Sequence, residues 1–250
     1  MITARGCPYS CIFCASAAIW KKKVRFHSIP YVIKQVNRIK DLGVKHFFFC
    51  NDTFLMNPNR SYLLLEEIKK LNIIWRCSVN TNTLTPELTE AMFDSGCRQV
   101  DFGIESGSDK MLKIMKKPSN VKQHESAIRT ARKAGMITKC MLMVGLPGET
   151  DEDIEETISF IRRNDSDMYA LTVFMPFPGC DIAENIDKYN LEFNSLSYED
   201  YYVTGATKET PIAHIDKKTI ARRRDMIWEA IGNKSTLDVI LSRERQHQNV

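Results

Sequence analysis

The chain has 250 residues, 43% hydrophobic and 26% charged, which is enough to bury a sizeable core and is the composition of a soluble globular protein of enzyme size. Its net charge of +4 neither demands a nucleic-acid partner nor excludes one, and nucleic acid is not otherwise indicated. The first residues, MITARGCPYS, lack the apolar core of a signal peptide, and runs such as HFFFC and CMLMVG are too short to span a bilayer. The expectation is a cytoplasmic chain whose eight cysteines stay reduced.

Taken in order, MITARG (1–6) reads as a short, polar first strand. PYVIKQVNRIKDLG carries Val32, Ile33, Val36 and Ile39 on one helical stripe, with Gly43 as its stop. VKHFFFC (44–50) and IIWRCSV (73–79) have the short, nearly continuous apolar character of buried strands. Thr85 and Pro86 open a helix that Gly96 closes. RQVDFGI (98–104) is the fourth strand, and VKQHESAIRTARKAG a helix ending at Gly135. ITKCMLMV (137–144) is the fifth strand. Thr150 and Asp153 form a capping-box start for a helix to about Arg163, and MYALTVF (168–174) is the sixth strand. From 176 to about 211 no period is visible. A helix over 218–231, with Ile220, Ile227 and Ile231 on its apolar side, reads as a cap, and SRERQHQNV as a frayed tail.

Alternation of this kind predicts an α/β fold with parallel strands, a partial (β/α)6 TIM-like barrel with a C-terminal helical cap. The expected division is a core over 1–180 and an extension over 181–250 packed on it. Ligands of such sheets sit at the carboxyl ends of the strands. The loop GCPYSCIFC, Asn51–Asp52, Glu105 and GLPGE (145–149) all follow strands, so all should open onto one face.

GCPYSCIFC places Cys7, Cys11 and Cys14 in a C-x3-C-x2-C spacing. A 4Fe–4S cube needs a ligand for each iron, so three thiolates leave one iron open, which is what a catalytic centre keeps and a structural one closes. A zinc site would call for a second pair of ligands, and His27 is thirteen residues away from Cys14. Cys50, Cys77, Cys97 and Cys140 lie on or beside strands and are expected in the core. Cys180, in FMPFPGC, is either inert, a radical relay or a ligand to a second cluster.

GCPYSCIFC resembles the cluster-binding motif of the radical S-adenosylmethionine (SAM) enzymes, including Phe13 before the third cysteine. FGIESGSDKMLKIMKK and MVGLPGET follow in the family's order, so the resemblance covers about residues 1–180. It is strongest to the catalytic region of the subgroup that carries an upstream cobalamin domain, here without that domain. The resemblance implies a 4Fe–4S cluster on the three cysteines whose fourth iron chelates SAM, and an electron that cleaves SAM to methionine and a 5′-deoxyadenosyl radical. It implies a small-molecule substrate and an external electron donor of the flavodoxin or ferredoxin type. It further implies that Glu105, Ser106, Lys117, Gly145 and Leu146 hold SAM, with Asp52 a further candidate. Each has a plainer reading. IESGSD can be a helix start capped by Ser108, KK the C-terminus of a helix with Lys116 rivalling Lys117, GLPGE a turn, and Asp52 an Asx turn. Asn80 and Asn82 stand where relatives often have Arg and Asp. Two other functions stay open: a cobalamin-dependent methyltransferase with a separate or missing cobalamin domain, and a non-catalytic iron–sulfur electron carrier.

Overall fold

A computed structural model describes residues 1–189, 191 and 215–234. Its elements are β1 (Ala4–Arg5), α1 (Ser16–Trp20), β2 (Arg25–Phe26), α2 (Ile29–Lys40), β3 (His46–Phe49), α3 (Pro58–Lys69), β4 (Ile74–Val79), α4 (Pro86–Asp94), β5 (Cys97–Glu105), α5 (Asp109–Ile114), α6 (Val121–Lys133), β6 (Ile137–Val144), α7 (Asp151–Arg163), β7 (Met168–Val173), α8 (Asp181–Glu184) and α9 (Lys217–Ile231). The aperiodic stretch up to Pro211 and the polar tail fall mostly outside the described residues.

Strands β3 to β7 form one sheet in sequence order, every neighbouring pair parallel. Helices fill each crossover, the α/β arrangement that the alternation predicts. The first strand differs from expectation. Ala4–Arg5 pairs antiparallel with Arg25–Phe26 in a separate two-stranded ribbon. Only Met1 continues the main sheet: its nitrogen donates to the Phe48 carbonyl and its carbonyl accepts from the Cys50 N–H, each at 2.7 Å. These are the two bonds of a parallel neighbour. At Thr3 the Asn51 side chain takes over, accepting the Thr3 N–H at 2.9 Å and donating to its hydroxyl at 2.8 Å. A polar segment this short cannot supply a full strand, so it leaves the sheet after one rung and turns into the cysteine loop.

The helices start where the sequence supplies caps. Ser28, Asn57 and Thr85 side chains accept from the first turns of α2, α3 and α4, each followed by proline in the first turn. Asn120 and Gln123 cap α6 reciprocally, and Asp153 accepts both the N–H and the hydroxyl of Thr150 at 2.9 Å. Ser108 does occupy the N-cap position of α5, yet its hydroxyl donates to Asp153 at 2.8 Å instead of capping.

The sheet has two unlike faces. Trp75, Cys77, Val79, Val100, Phe102, Ile104, Cys140 and Leu142 are buried in one core with α2, α3, α4, α6 and α7. Trp75 is 1% exposed, its Nε1–H donates to the Ser95 carbonyl at 2.9 Å, and the rings of Phe49 and Phe54 lie 5.3 and 5.2 Å away. The alternate residues, Arg76, Ser78, Gly103, Met141 and Met143, are half-buried and line the opposite, more polar face. There Arg76 pairs with Asp101 at 3.1 Å and lies over the Phe48 ring. Helix α9 joins the outer helical layer: Ile227 and Ile231 sit in the main core, and Arg223 donates to the Glu149 carbonyl and the Asp151 carboxylate. Of the four cysteines expected in the core, Cys77, Cys97 and Cys140 are buried, whereas Cys50 is exposed. It stands one residue past β3, where the chain leaves the sheet.

Candidate functional site

The cysteine loop lies between β1 and α1 and is pinned from four directions. The Asp52 carboxylate, just past β3, accepts the Gly6 N–H at 2.9 Å and the Ser16 hydroxyl at 2.6 Å, bracketing the three cysteines. The Tyr9 hydroxyl donates to Asn82 at 3.2 Å. Ile12 is 1% exposed; its N–H donates to the Met115 carbonyl, and its carbonyl accepts from the Ile182 N–H. That side chain anchors a second apolar cluster with Leu112, Met115, Leu146, Phe174 and Cys180. The x2 spacer thus supplies a plug as well as a length, which the spacing alone does not reveal.

Cys7, Cys11 and Cys14 are free thiols of intermediate burial. Burial raises the pKa of each and pushes Cys11 up to about 11; neighbouring cysteines raise it further, and the Lys117 ammonium pulls the other way. Ser16 donates its N–H to the Cys14 sulfur at 3.4 Å. A donor set of sulfur alone suits an iron–sulfur cluster and is wrong for hard cations. Among the described residues no three His, Cys, Asp or Glu groups gather on a single ion. A polynuclear cluster asks for another arrangement: each iron takes its own thiolate, so the sulfurs stand around it. The sulfur-only donors at C-x3-C-x2-C spacing have the chemistry such a cluster uses.

Beside them, at the end of β5, Glu105 adopts a left-handed backbone (φ 65°), after a register shift between Gly103 and Glu105. A non-glycine residue there is strained, and such strain collects at functional sites. Its carboxylate meets the Lys117 ammonium at 3.1 Å, the two side chains 13% and 6% exposed. Burial is the largest influence on the Lys117 pKa and works to lower it, but Glu105 together with Cys11 and Cys14 reverses it, so the net shift is upward. Lys117 also stands 5.8 Å from the centre of the Phe13 ring. Lys116 points elsewhere, toward Asp181 at 3.8 Å. Ser106 turns away too: its hydroxyl accepts the Ser108 N–H and lies 3.3 Å from the Thr157 hydroxyl.

Gly145 ends β6 with φ 87°, and its N–H donates to Glu149 at 2.8 Å. Leu146 is fully buried in the cluster that holds Ile12. Burial pushes the Glu149 carboxyl up to about 7, against the Gly145 bond and Arg223. A cavity of about 230 Å³ adjoins Cys14, lined by Phe13, Met143, Thr172, Met175 and Phe177. Asn82, besides accepting from Tyr9, donates to the Pro118 carbonyl at 3.2 Å, so it ties the cysteine loop to the Lys117 segment. His124 backs the same turn, its Nδ1 2.8 Å from the Thr81 hydroxyl; burial and then Lys117 push its pKa down to about 3, which keeps it neutral. Cys180 is buried, with its sulfur accepting the Ala183 N–H at the start of α8.

The sequence reading missed Ile12, Ser16 and Asn82 as a brace, and took Glu149 only as the last residue of the GLPGE turn. A buried apolar residue between two cysteines was the only local signal for any of them.

The model of the radical SAM superfamily matches residues 1–161. An uncharacterized methyltransferase of Pyrococcus horikoshii is 35% identical over 76% of this chain and 42% of its own length. The bacteriochlorophyllide d C-12(1)-methyltransferase of Chlorobaculum tepidum is 27% identical over 81% of this chain and 45% of its own. Among solved structures, the radical SAM methyltransferase TsrM of Kitasatospora setae, with cobalamin and a 4Fe–4S cluster bound, superposes with a TM-score of 0.71 at 16% identity, over 84% of this chain and 44% of that one. The chain therefore spans less than half the length of the curated relatives it matches.

Proposed function

Because this chain belongs to the radical SAM superfamily, we propose that it forms the catalytic core of a radical SAM enzyme, with Cys7, Cys11 and Cys14 as the cluster ligands. The observation that carries the reading is the pinned three-cysteine loop facing the buried Lys117–Glu105 pair. Cys7, Cys11 and Cys14 would hold a 4Fe–4S cluster, which would supply the single electron needed to cleave SAM to methionine and a 5′-deoxyadenosyl radical able to take a hydrogen atom from a substrate.

The residues divide the work. Lys117 offers a desolvated cation to the methionine carboxylate, and Glu105 offers acceptors to the hydroxyls and amine of SAM. The apolar cavity beside Cys14 suits an uncharged, flat group such as adenine, with the Gly145 turn at the end of the neighbouring strand. Asp52 and Ser106 act at one remove, Asp52 by holding the loop and Ser106 by holding the start of α5 against α7. The apolar cluster around Ile12 and Leu146 excludes water behind the cysteines. Residues 1–180 form the core and 181–250 an extension, of which α9 packs against α7 and the sheet.

A second reading, methyl transfer through cobalamin, is favoured by the methyltransferase relatives. It requires a cobalamin-binding part on this polypeptide or another. The experiment is EPR on the anaerobically reconstituted, reduced protein with and without SAM. Direct chelation predicts that SAM changes the cluster's spectrum. A spectrum indifferent to SAM, or a fourth protein ligand closing the cluster, would favour the electron-carrier reading.

A further inference from the structure

The positive charge of this chain is concentrated at one end. Residues 1–40 hold eight Lys and Arg and no Asp or Glu, whereas the other 210 residues hold 27 Lys and Arg against 31 Asp and Glu. The fold gathers five of the eight around the back of the cysteine loop. The ribbon of β1 and β2 sets Arg5 directly across from Arg25, two like charges on opposed rungs. Lys21 and Lys22 both take left-handed backbone (φ 50° and 57°) in the turn after α1, and Lys23 follows. All five side chains are exposed, and among the described residues none meets a carboxylate.

Arg5 opposite Arg25 and strained lysines are unfavourable for folding alone, so a charge run that merely kept the surface wet would not need this arrangement. The patch also lies one peptide from the candidate cluster. A side chain on Gly6 would strike the Lys23 carbonyl at 2.0 Å, so the backbone of the lysine turn rests on the residue preceding Cys7.

We propose that Arg5, Lys21, Lys22, Lys23 and Arg25 form the docking surface for an acidic one-electron carrier protein that reduces the cluster. The inference rests on the radical SAM reading, which requires one electron from outside for each SAM cleaved. On docking, the reduced carrier, a flavin or iron–sulfur protein, gives up one electron and the cluster falls from the 2+ to the 1+ state. No proton or atom moves with it. Complementary charge raises the rate of such encounters tenfold or more at low ionic strength and loses that effect as salt is added. The lysine turn gives a carrier a backbone contact to Gly6, the residue before Cys7, while Glu105 and Lys117 lie with the cysteines on the SAM side.

The test compares wild type with the Lys21→Glu/Lys22→Glu/Lys23→Glu variant, both anaerobically reconstituted and matched for iron content and melting temperature. Flavodoxin is the probe. Two readings are taken: its binding by calorimetry, and the rate at which its reduced form bleaches the cluster, each at low and at 0.5 M salt. Reduced methyl viologen, a small cation that needs no docking surface, is the control reductant. The proposal predicts that charge reversal slows flavodoxin-driven bleaching at least tenfold at low salt and abolishes measurable binding, while viologen-driven bleaching is unchanged. Equal flavodoxin rates and binding in the two proteins would overturn it, as would a variant that loses affinity for bulk tRNA while its flavodoxin kinetics stay intact. If viologen bleaches the cluster but SAM is not cleaved, it is the radical SAM reading that fails; the binding data still judge the docking surface.

Discussion

The Nζ of Lys117 lies 3.1 Å from Oε1 of Glu105, and the two meet in space left by the missing side chain of Gly103. A methyl group on Gly103 would sit 2.7 Å from that carboxylate oxygen and 3.3 Å from the ammonium. Gly103 faces the polar side of the sheet, two residues before Glu105, so the strand itself clears the place where the pair forms.

Gly103→Ala should therefore displace the pair without breaking the fold. A cost of about 1–3 kcal/mol is expected, typical of overpacking, together with weaker SAM binding. Urea unfolding and SAM affinity by calorimetry check the two effects. Unchanged SAM affinity would show that the pair's placement does not matter to the ligand.

Removing Lys117 leaves Glu105 as an unpaired, largely buried carboxylate. Lys117→Met should cost roughly 3–5 kcal/mol, the range for breaking a buried pair. The double variant Lys117→Met/Glu105→Leu should recover much of that loss in stability while SAM binding stays lost. Chemical denaturation of the four proteins in a cycle measures the coupling.

Asp52→Ala removes the acceptor that Gly6 and Ser16 share on either side of the cysteines. Two charge-assisted hydrogen bonds are lost, each worth about 1.5–3 kcal/mol in a buried setting and less at this exposed carboxylate. The expected result is lower iron and sulfide content after reconstitution with secondary structure retained. Asn82→Ala, which cuts a neutral bridge, should give the same defect more mildly. Iron content per chain, read beside circular dichroism, separates these outcomes from unfolding.

Glu149 gives the chain a pH dependence of definite sign. Burial raises its carboxyl to about 7 in the fold against the usual 4.5, so between these values the folded state holds a proton that the unfolded state has released. Stability from this group is complete below about 4.5 and falls as pH rises to 7, by on the order of 3 kcal/mol. Glu149→Gln keeps an acceptor for Gly145 and removes the titration. The difference in unfolding free energy between wild type and variant should shift against wild type across that window. A pH-independent difference would contradict the assignment.

The sheet was legible because its five strands are apolar enough to be buried on one face and end in glycine or polar loops. The helices with proline in the first turn or a capping box were legible for the same local reason, although Asn57–Pro58 marked α3 and passed unread. The first strand misled because alternation counts it like the others, while its polar residues let Asn51 draw it off the sheet after one rung. At the site, the cysteines and the Glu105 and Gly145 loops announce themselves by spacing and residue type. Two braces do not: Asp52 to Gly6 and Asn82 to Tyr9 and Pro118 are contacts between segments, 46, 73 and 36 residues apart in sequence. No local pattern encodes which loop a carboxylate will reach. Which of Lys116 and Lys117 lies beside Glu105 is likewise decided by the fold, which buries the Lys117 ammonium there.

The most direct test of the account is anaerobic. The protein is reconstituted with iron and sulfide, reduced with viologen in the presence of SAM, and assayed for 5′-deoxyadenosine by chromatography. The account predicts deoxyadenosine from wild type and none from Cys11→Ala. An iron-loaded wild-type protein that produces no more deoxyadenosine than Cys11→Ala, with a cluster spectrum that ignores SAM, would contradict it.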